Sequence, residues 1–323
     1  MNLSVQQLME RYVQSQRALG RRYAGEERVL LSVRHYLEAQ GLTDLDQTGF
    51  DDWCRTFAHL TPSVIRHRQL VVRRWCLYRR RYEQECFVPS PEHFARTAPH
   101  RPPFILEPTD VARLLVAARH TPATIRSPLR PAVLRLAIVL LYTAGLRRGE
   151  LLRLTLADVD AKAGVLRVRE SKFHKSRLVP LSADAQRELR QYLKQRRAIP
   201  LDTGPDTPLL CHYLGRNGSL RGYTGTGLGN GLRTLLREAE VQNADGKYPR
   251  IHDFRHSFAV QAMLRWYQQG ADVQANLPKL AMYLGHVSII STAYYLQWVP
   301  ALAQAASQRF EAKFGTLIQG DKL

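Results

Sequence analysis

Side chains suited to phosphate chemistry are concentrated between residues 251 and 296. His252 and Arg255 are spaced i, i+3, so both point the same way where a helix starts. A guanidinium offers a planar fork of donors that matches phosphate oxygens, and an imidazole can shuttle a proton near neutral pH. Tyr295 follows His286 by nine positions. A phenol has a pKa of about 10, so it attacks phosphorus well only where cations lower that value.

The order of these residues resembles that in tyrosine recombinases, the family of phage-type integrases and of Xer-type and integron-type enzymes. Its carboxy-terminal box is matched by His-x-x-Arg at 252–255, Leu-Gly-His at 284–286, and Tyr295. Upstream, the segment TAGLRRGE at 143–150 is similar to the first arginine box of the family. The resemblance covers about residues 105 to 310. Each motif alone is weak evidence, but both boxes and the tyrosine in this order are specific.

The resemblance implies that six side chains carry the chemistry, namely Arg147, Lys172, His252, Arg255, His286 and Tyr295. The arginines and histidines would hold the scissile phosphate, Tyr295 would attack it, and Glu150 would buttress the site. A 3′-phosphotyrosyl link conserves the phosphodiester energy, so neither ATP nor another cofactor is expected. No metal is expected either, since the sequence has no P-loop motif and no carboxylate cluster suited to two Mg²⁺ ions.

Strand-like segments at 165–169 and 178–181 flank a polar turn and predict a β-hairpin. It resembles the hairpin of the family, whose turn usually reads Gly-Lys-Gly and carries the lysine that protonates the leaving oxygen. Lys172 is the matching position, but the residues on either side of it are not glycines. Lys175 therefore stays an alternative for the acid.

The nucleophile has a neighbouring alternative too. Tyr294 would replace Tyr295 if the register shifted by one residue, but the spacing from His286 favours Tyr295. For His252 and His286 the alternative is a structural role, as core histidines hydrogen-bonded within the protein. Their occurrence as a matched set favours a role in the phosphate site. We interpret the other histidines, including His256, as structural.

The charge balance indicates a polyanionic partner. The chain has 323 residues with 47 Lys and Arg against 28 Asp and Glu, a formal net charge of +19. Such an excess is the electrostatic footprint of a nucleic-acid binder, and the resemblance makes double-stranded DNA the expected ligand. A ribosomal or generally adhesive basic protein is the alternative that charge alone allows.

Cysteine usage and hydropathy set the expected compartment. The four cysteines form no C-x-x-C pair and lack zinc-site spacing, so they are expected to be reduced thiols. The amino terminus has no signal pattern, and no apolar run approaches the roughly 20 residues of a membrane span. The sequence predicts a cytoplasmic protein that associates with the nucleoid when bound to DNA, with no membrane partner.

One stretch before the middle of the chain is dense in arginine, and its apolar residues, including Val71 and Trp75, predict an amphipathic helix. We interpret its polar face as contacting DNA phosphates. A merely solvated face is the alternative, although the run has no acidic residue before Glu83. The arginines concerned are Arg66, Arg68, Arg73, Arg74, Arg79, Arg80 and Arg81.

Length and proline content predict two domains. Residues 1–98 are expected to form an all-helical bundle, which resembles the SAM-like core-binding domain of the family. A proline-rich linker at 99–108 would lead to an α+β catalytic domain at 109–323, mainly helical with a small sheet or hairpin. Its last helix, at about 300–316, would cap this domain or dock on a neighbouring subunit. The glycine-rich stretch 215–231 is expected to be a mobile loop before a helix near 232–238.

Strand exchange joins two duplexes, so the resemblance implies self-association on DNA, as a tetrameric synapse. It leaves open whether a second recombinase or an accessory protein takes part. Between Arg255 and His286 the chain exceeds the usual family spacing by about two helical turns. This favours the branch of mobile elements, with integration, excision or resolution as the reaction. A DNA-relaxing or hairpin-forming enzyme and a non-catalytic DNA-binding regulator are the alternatives.

Overall fold

The computed structural model describes residues 4–97, 101–169, 176–199, 204–213, 220–285, 304 and 306–311. The chain divides into two compact units, Met1–Arg101 and Pro102–Leu323. Within the described ranges, every helix is too short or too polar to span a lipid bilayer.

The first unit is a helical bundle in the part that the structure describes. Ser4 caps its first helix through a reciprocal capping box with Gln7, and Gly41 ends the second with a left-handed backbone at φ 64°. The buried side chains of Trp53 and Trp75 lie in its core. The helices are α1 (Val5–Ala18), α2 (Ala24–Gln40), α3 (Gln47–Arg55) and α4 (Pro62–Arg79).

The arginine-rich stretch forms α4 as predicted, but one of its arginines does not face solvent. Arg79 is 2% exposed and packs over the Trp75 ring at 5.0 Å. Its guanidinium forms two hydrogen bonds with the Asp44 carboxylate, at 2.6 and 2.8 Å, and donates to Glu83 at 2.6 Å. The prediction of Arg79 as a DNA contact was therefore wrong, because two carboxylates hold it inside the unit.

In the ranges that the structure describes, the second unit is mainly helical with two small antiparallel sheets, and the predicted fold class is confirmed. The strands of its first sheet run in the order β1-β2-β3, and Val165 pairs with Pro180 and Val168 with Arg177. The elements are α5 (Pro108–His120), α6 (Arg130–Thr143), α7 (Arg148–Arg153), β1 (Val159–Asp160), β2 (Val165–Val168), β3 (Arg177–Pro180), α8 (Ala183–Arg197), β4 (Cys211–Tyr213), β5 (Leu220–Gly222), α9 (Gly225–Glu238), α10 (Ile251–Gln268) and α11 (Val273–Leu284). Residues 306–311 are also helical.

Helix α6 is the centre of this unit, because its residues from 133 to 141 are apolar on nearly every face and α5, α8 and α10 pack against it. It is followed by Gly145, whose φ is +57°. A Cβ atom there would lie 2.7 Å from the Phe258 ring and 2.9 Å from Leu284. Only glycine fits this close turn, which leads the chain directly from the core into the first arginine box.

Two sequence predictions differ in detail from the structure. The helix after the glycine-rich stretch begins at Gly225, earlier than predicted, because Thr224 caps it by accepting from the Gly227 amide. Gly231 lies inside that helix, where a Cβ atom would come within 2.7 Å of Leu134 on α6. The region predicted as linker includes Leu106, which is fully buried in the core of the second unit.

The ion pairs of Arg79 predict a difference between two arginines of the same helix. Arg79→Ala should lower the free energy of unfolding by about 2–4 kcal/mol, because it removes charged hydrogen bonds and the packing on Trp75. Arg74→Ala, at an exposed position, should change it by less than about 0.5 kcal/mol. Urea titration of the full chain followed by tryptophan fluorescence measures both values, and equal losses would contradict the internal role of Arg79.

Candidate active site

The predicted arginine box is built around one buried carboxylate. Arg147 is the N-cap of α7, and Glu150 follows at the third helical position. The Arg147 amide donates to Glu150 Oε2 at 3.0 Å, and the Arg147 guanidinium donates to Oε1 at 2.7 Å. Glu150 is 3% exposed, whereas the Arg147 side chain keeps 24% of its surface accessible. The start of α7 thus holds the partly exposed Arg147 side chain in contact with the buried Glu150 carboxylate.

Glu150 serves three arginines. Arg177, the first residue of β3, forms a bidentate pair with its carboxylate, at 3.0 and 2.8 Å. Arg255 on α10 lies 4.0 Å from Oε2. Within this group of Glu150, Arg147, Arg177 and Arg255, which we call the Glu150 cluster, the guanidinium groups outnumber the carboxylate by two.

The electrostatics of the carboxylate follow from its neighbours. Burial alone would raise the pKa of Glu150, but hydrogen bonds from Arg177 and Arg147 outweigh burial and lower it to about 2. Glu150 is therefore ionised at pH 7. An anion that entered the cluster would meet a net positive charge in a partly desolvated place.

The same three arginines hold the end of α11. Arg177 Nε donates to the Tyr283 carbonyl at 2.7 Å, an Arg255 nitrogen donates to that of Leu284 at 2.5 Å, and Arg147 donates to that of Gly285 at 2.9 Å. Carbonyls at a helix end lack partners within the helix and carry negative partial charge, so cations stabilise them. Three arginines from three segments thus fix the start of the predicted Leu-Gly-His box.

Arg255 has a further contact that ties the two predicted boxes together. Its other terminal nitrogen donates to the Gly145 carbonyl at 2.7 Å, and the residue is 1% exposed. The sequence predicted that Arg255 helps to hold the scissile phosphate. In the structure its terminal nitrogens bind main-chain carbonyls, and its positive charge lies buried beside the more exposed Arg147.

His252 lies in the first turn of α10, where Asp253 and Arg250 form a capping box. The rings of His252 and His256 meet edge to face, with centroids 4.6 Å apart at 85°. Desolvation and then the positive charge of Arg255 lower the pKa of His252. His252 is therefore neutral at pH 7, with one ring nitrogen able to donate and the other able to accept.

The structure thus brings together Arg147, Glu150, Arg255 and the helix start that carries His252. The remaining predicted site residues lie outside the described residues: Lys172, His286 and Tyr295, with the alternatives Lys175 and Tyr294. The hairpin strands on either side of the lysine turn are present as predicted. Among the residues that the structure describes, no cluster of three or more His, Cys, Asp or Glu could hold a metal ion.

Sequence reasoning missed Arg177, although a signal for it existed. Along β3, Arg177 lies two positions before Val179, so the two side chains share one face of the strand. Val179 is fully buried, and the Arg177 side chain is 11% exposed. An arginine on the apolar face of a strand requires an internal acid, because an unpaired guanidinium is costly to bury.

Comparison with known proteins identifies the class. The Phage integrase family model matches residues 105–300. A protein of Sinorhizobium fredii named as an integrase/recombinase, y4rE, is 37% identical over 94% of this chain and 94% of its own length. Tyrosine recombinase XerC of Chromobacterium violaceum is 35% identical over 48% of this chain and 45% of its own length. The chain belongs to the phage integrase family, and it is a tyrosine-class site-specific recombinase.

Solved structures share the fold. The Tn1549 transposon integrase in complex with circular intermediate DNA has a TM-score of 0.61 and 18% identity, covering 95% of this chain and 100% of the other. XerH site-specific recombinase bound to its palindromic difH substrate has a TM-score of 0.59 and 18% identity, covering 88% of this chain and 78% of the other. These likenesses confirm the predicted tyrosine recombinase architecture.

The histidine pair predicts a pH dependence of stability. Burial and then the charge of His252 lower the pKa of His256 to about 4. An unfolded histidine titrates near 6.5, so between pH 6.5 and 4 the unfolded chain binds the extra proton and stability falls as the pH falls. Allowing for solvent screening, His256→Gln should remove about 1–2 kcal/mol of that fall.

Urea midpoints at pH 7 and pH 4.5 test this expectation. His120→Gln is the matched control, because His120 is exposed on α5 in the same unit. The wild-type protein and the His120 variant should lose stability alike on acidification, and His256→Gln should lose less. A His256 variant with the wild-type pH slope would contradict the assignment.

Proposed function

We propose that this recombinase cuts and rejoins DNA strands through a 3′-phosphotyrosyl intermediate at Tyr295. The observation that carries the proposal is the Glu150 cluster, where three guanidinium groups share one carboxylate at the end of α11. A scissile phosphate supplies the negative charge that this cluster lacks. In the sequence, His286 directly follows the last of the carbonyls that the arginines bind, and Tyr295 comes nine residues after His286.

In this proposal, Arg147 is the direct phosphate ligand, because its side chain is the most exposed of the three arginines in the cluster. Arg255 contributes a buried positive charge beside it, which a low dielectric makes more effective than a charge in water. His252, neutral at pH 7, and His286 donate hydrogen bonds to the non-bridging oxygens. Each such donor lowers the barrier by about 3 kcal/mol in comparable sites.

The chemical step is balanced within the protein and the DNA. The Tyr295 oxygen gives its proton to the neutral imidazole of His252 and forms a bond to phosphorus. The bond from phosphorus to the 5′-oxygen breaks in the same step, and Lys172 gives that oxygen a proton. The products are a 3′-phosphotyrosyl protein and a 5′-hydroxyl. A 5′-hydroxyl from a partner strand then reverses the reaction, which completes a join without ATP.

Double-stranded DNA with a specific recombination site is the proposed ligand. Both solved structures described above are complexes with DNA, and the net charge of +19 supports the same ligand here. In the first unit, Arg74, Arg80 and Arg81 are exposed and suited to phosphate contacts. Arg66, Arg68 and Arg73 are half-buried, with Arg66 and Arg73 donating to main-chain carbonyls.

Assembly and biological role follow from the same chemistry. Exchange between two duplexes needs four active tyrosines, so we propose a tetrameric synapse assembled on DNA. The integrase and recombinase names of the relatives support a role in moving a mobile element, by integration, excision or resolution. A cytoplasmic enzyme associated with the nucleoid suits that role.

The nucleophile is tested with nicked suicide substrates, which trap the covalent protein–DNA adduct. Tyr295→Phe should abolish the adduct and change DNA affinity by less than about twofold, because it removes one hydroxyl among many contacts. Denaturing gel electrophoresis measures the adduct, and an electrophoretic mobility shift measures the affinity.

Tyr294→Phe is the matched control for the neighbouring tyrosine. It should form the adduct at close to the wild-type rate. If Tyr295→Phe still forms the adduct and Tyr294→Phe does not, the register of the nucleophile is wrong by one residue. If the wild-type protein forms no adduct on any bound site, the phosphotyrosyl chemistry itself is refuted.

The acid is tested by changing the leaving group. Lys172→Ala should slow cleavage of an ordinary phosphodiester by about 10²–10⁴-fold, the usual contribution of general acid catalysis. A 5′-bridging phosphorothiolate should restore most of the rate, because its thiolate leaves without a proton. Arg147→Ala should not be rescued, since its loss removes charge stabilisation instead. Rescue of Lys175→Ala but not of Lys172→Ala would transfer the acid role to Lys175.

A further inference from the structure

Arg177 is the one arginine of the Glu150 cluster to which the reaction proposed above gives no role. It starts β3, on the carboxyl side of the hairpin turn, and lies far in sequence from every other member. Its side chain is 11% exposed, and its fork is bound to both Glu150 oxygens while Nε is bound to the Tyr283 carbonyl. Protein groups bind all three nitrogens of Arg177, and its side chain is less accessible than that of Arg147, so Arg147 is the better placed of the two to meet a phosphate.

The contacts of Glu150 explain what such a residue does. Oε1 accepts from both Arg147 and Arg177, and Oε2 accepts from the Arg147 amide and from Arg177. The carboxylate is therefore held between two arginines that compete for it. Without the fork of Arg177, Glu150 would be drawn wholly onto Arg147, and the charge that Arg147 presents to an anion would be neutralised more completely.

Arg177 also fixes the chain that leads towards the predicted nucleophile. It binds the Tyr283 carbonyl two residues before the Gly285 carbonyl that Arg147 binds. A Cβ atom on Gly285 would lie 2.9 Å from an Arg177 nitrogen, so the glycine of the Leu-Gly-His box also leaves room for this side chain. Arg177 thereby positions both the Glu150 carboxylate and the end of α11, which are the two groups that Arg147 contacts.

We propose that Arg177 is a positioning residue for catalysis: through Glu150 and the end of α11 it holds Arg147 in the place and charge state needed at the scissile phosphate. This inference rests on the proposed function. Lysine cannot replace it, because a single ammonium can neither bridge both oxygens in one plane nor bind the Tyr283 carbonyl at the same time.

The test compares Arg177→Lys with Arg135→Lys. Arg135 on α6 forms a similar two-point pair with Glu188 on α8 in the same unit, and its side chain is 16% exposed. Both substitutions keep the charge and lose a half-buried bidentate pair. The readout is the single-turnover rate of adduct formation by protein already bound to a nicked suicide substrate, with affinity and thermal unfolding measured alongside.

We expect Arg177→Lys to slow adduct formation in the bound complex by about 10–100-fold, a loss of the size found when a residue that orients a metal ligand is replaced. Affinity should stay within about twofold of wild type, because one contact of this kind adds little to a large DNA interface. Arg135→Lys should leave the bound rate unchanged. Equal rates for wild type and Arg177→Lys, or equal slowing by both variants, would overturn the proposal.

A substrate with a 5′-bridging phosphorothiolate shows whether Arg177 acts on charge stabilisation or on the general acid. Arg177 acts here on charge stabilisation, so the thiolate leaving group should not rescue Arg177→Lys. Rescue would mean that Arg177 instead positions the acid on its hairpin, which overturns the route through Glu150. Absence of any Tyr295-dependent adduct with the wild-type protein is a separate outcome, since it refutes the proposed function before Arg177 is tested.

A double-mutant cycle with Glu150→Gln guards against a variant that does not fold. Because Arg177 acts in part through Glu150, the double variant Arg177→Gln with Glu150→Gln should be slowed by clearly less than the product of the two single effects. It also removes both members of the buried pair, which is less disruptive than leaving one of them unpaired. Effects of the two substitutions that multiply would show independent roles and contradict the proposal.

Discussion

The second unit depends on one electrostatic constraint, the sharing of the Glu150 carboxylate and three consecutive carbonyls by three arginines. Arg147, Arg177 and Arg255 come from a helix cap, a strand and a helix that are distant in sequence. Buried guanidinium groups must be paired, and main-chain carbonyls at a helix end need donors. The carbonyls at the end of α11 and the buried guanidinium groups satisfy each other, so packing α11 onto the unit also assembles the cluster.

The apolar core of the second unit fixes the positions of the arginines in the Glu150 cluster. Helix α6 is buried on nearly all sides, and the close turn at Gly145 places the first arginine box immediately beyond it. Arg255 then binds the Gly145 carbonyl, so the core helix and the two boxes are linked by a direct hydrogen bond. Side chains that must be held within a fraction of an ångström lie on elements fixed by packing.

The sequence predicted the elements well wherever periodicity and capping signals agreed. For the core helix α6, the hairpin and the helix start at His252, the local sequence signals agree with the tertiary structure. The misses at the buried arginines are long-range. The burial of Arg79 depends on Asp44, 35 residues away, and that of Arg177 on Glu150, 27 residues away. The early start of α9 is a local miss, since the Thr224 cap was not recognised, whereas the close contact of Gly231 with Leu134 on α6 is long-range.

The charge of the Glu150 cluster links its structure to its work. A group in which guanidiniums exceed carboxylates by two is less stable than a balanced one, because carbonyl dipoles offset a positive charge only in part. A further internal carboxylate would stabilise the free protein, but it would also fill the place where negative charge develops during phosphoryl transfer. A phosphodiester can therefore supply the negative charge that the cluster lacks. The excess positive charge raises the energy of the empty site and lowers that of the bound transition state.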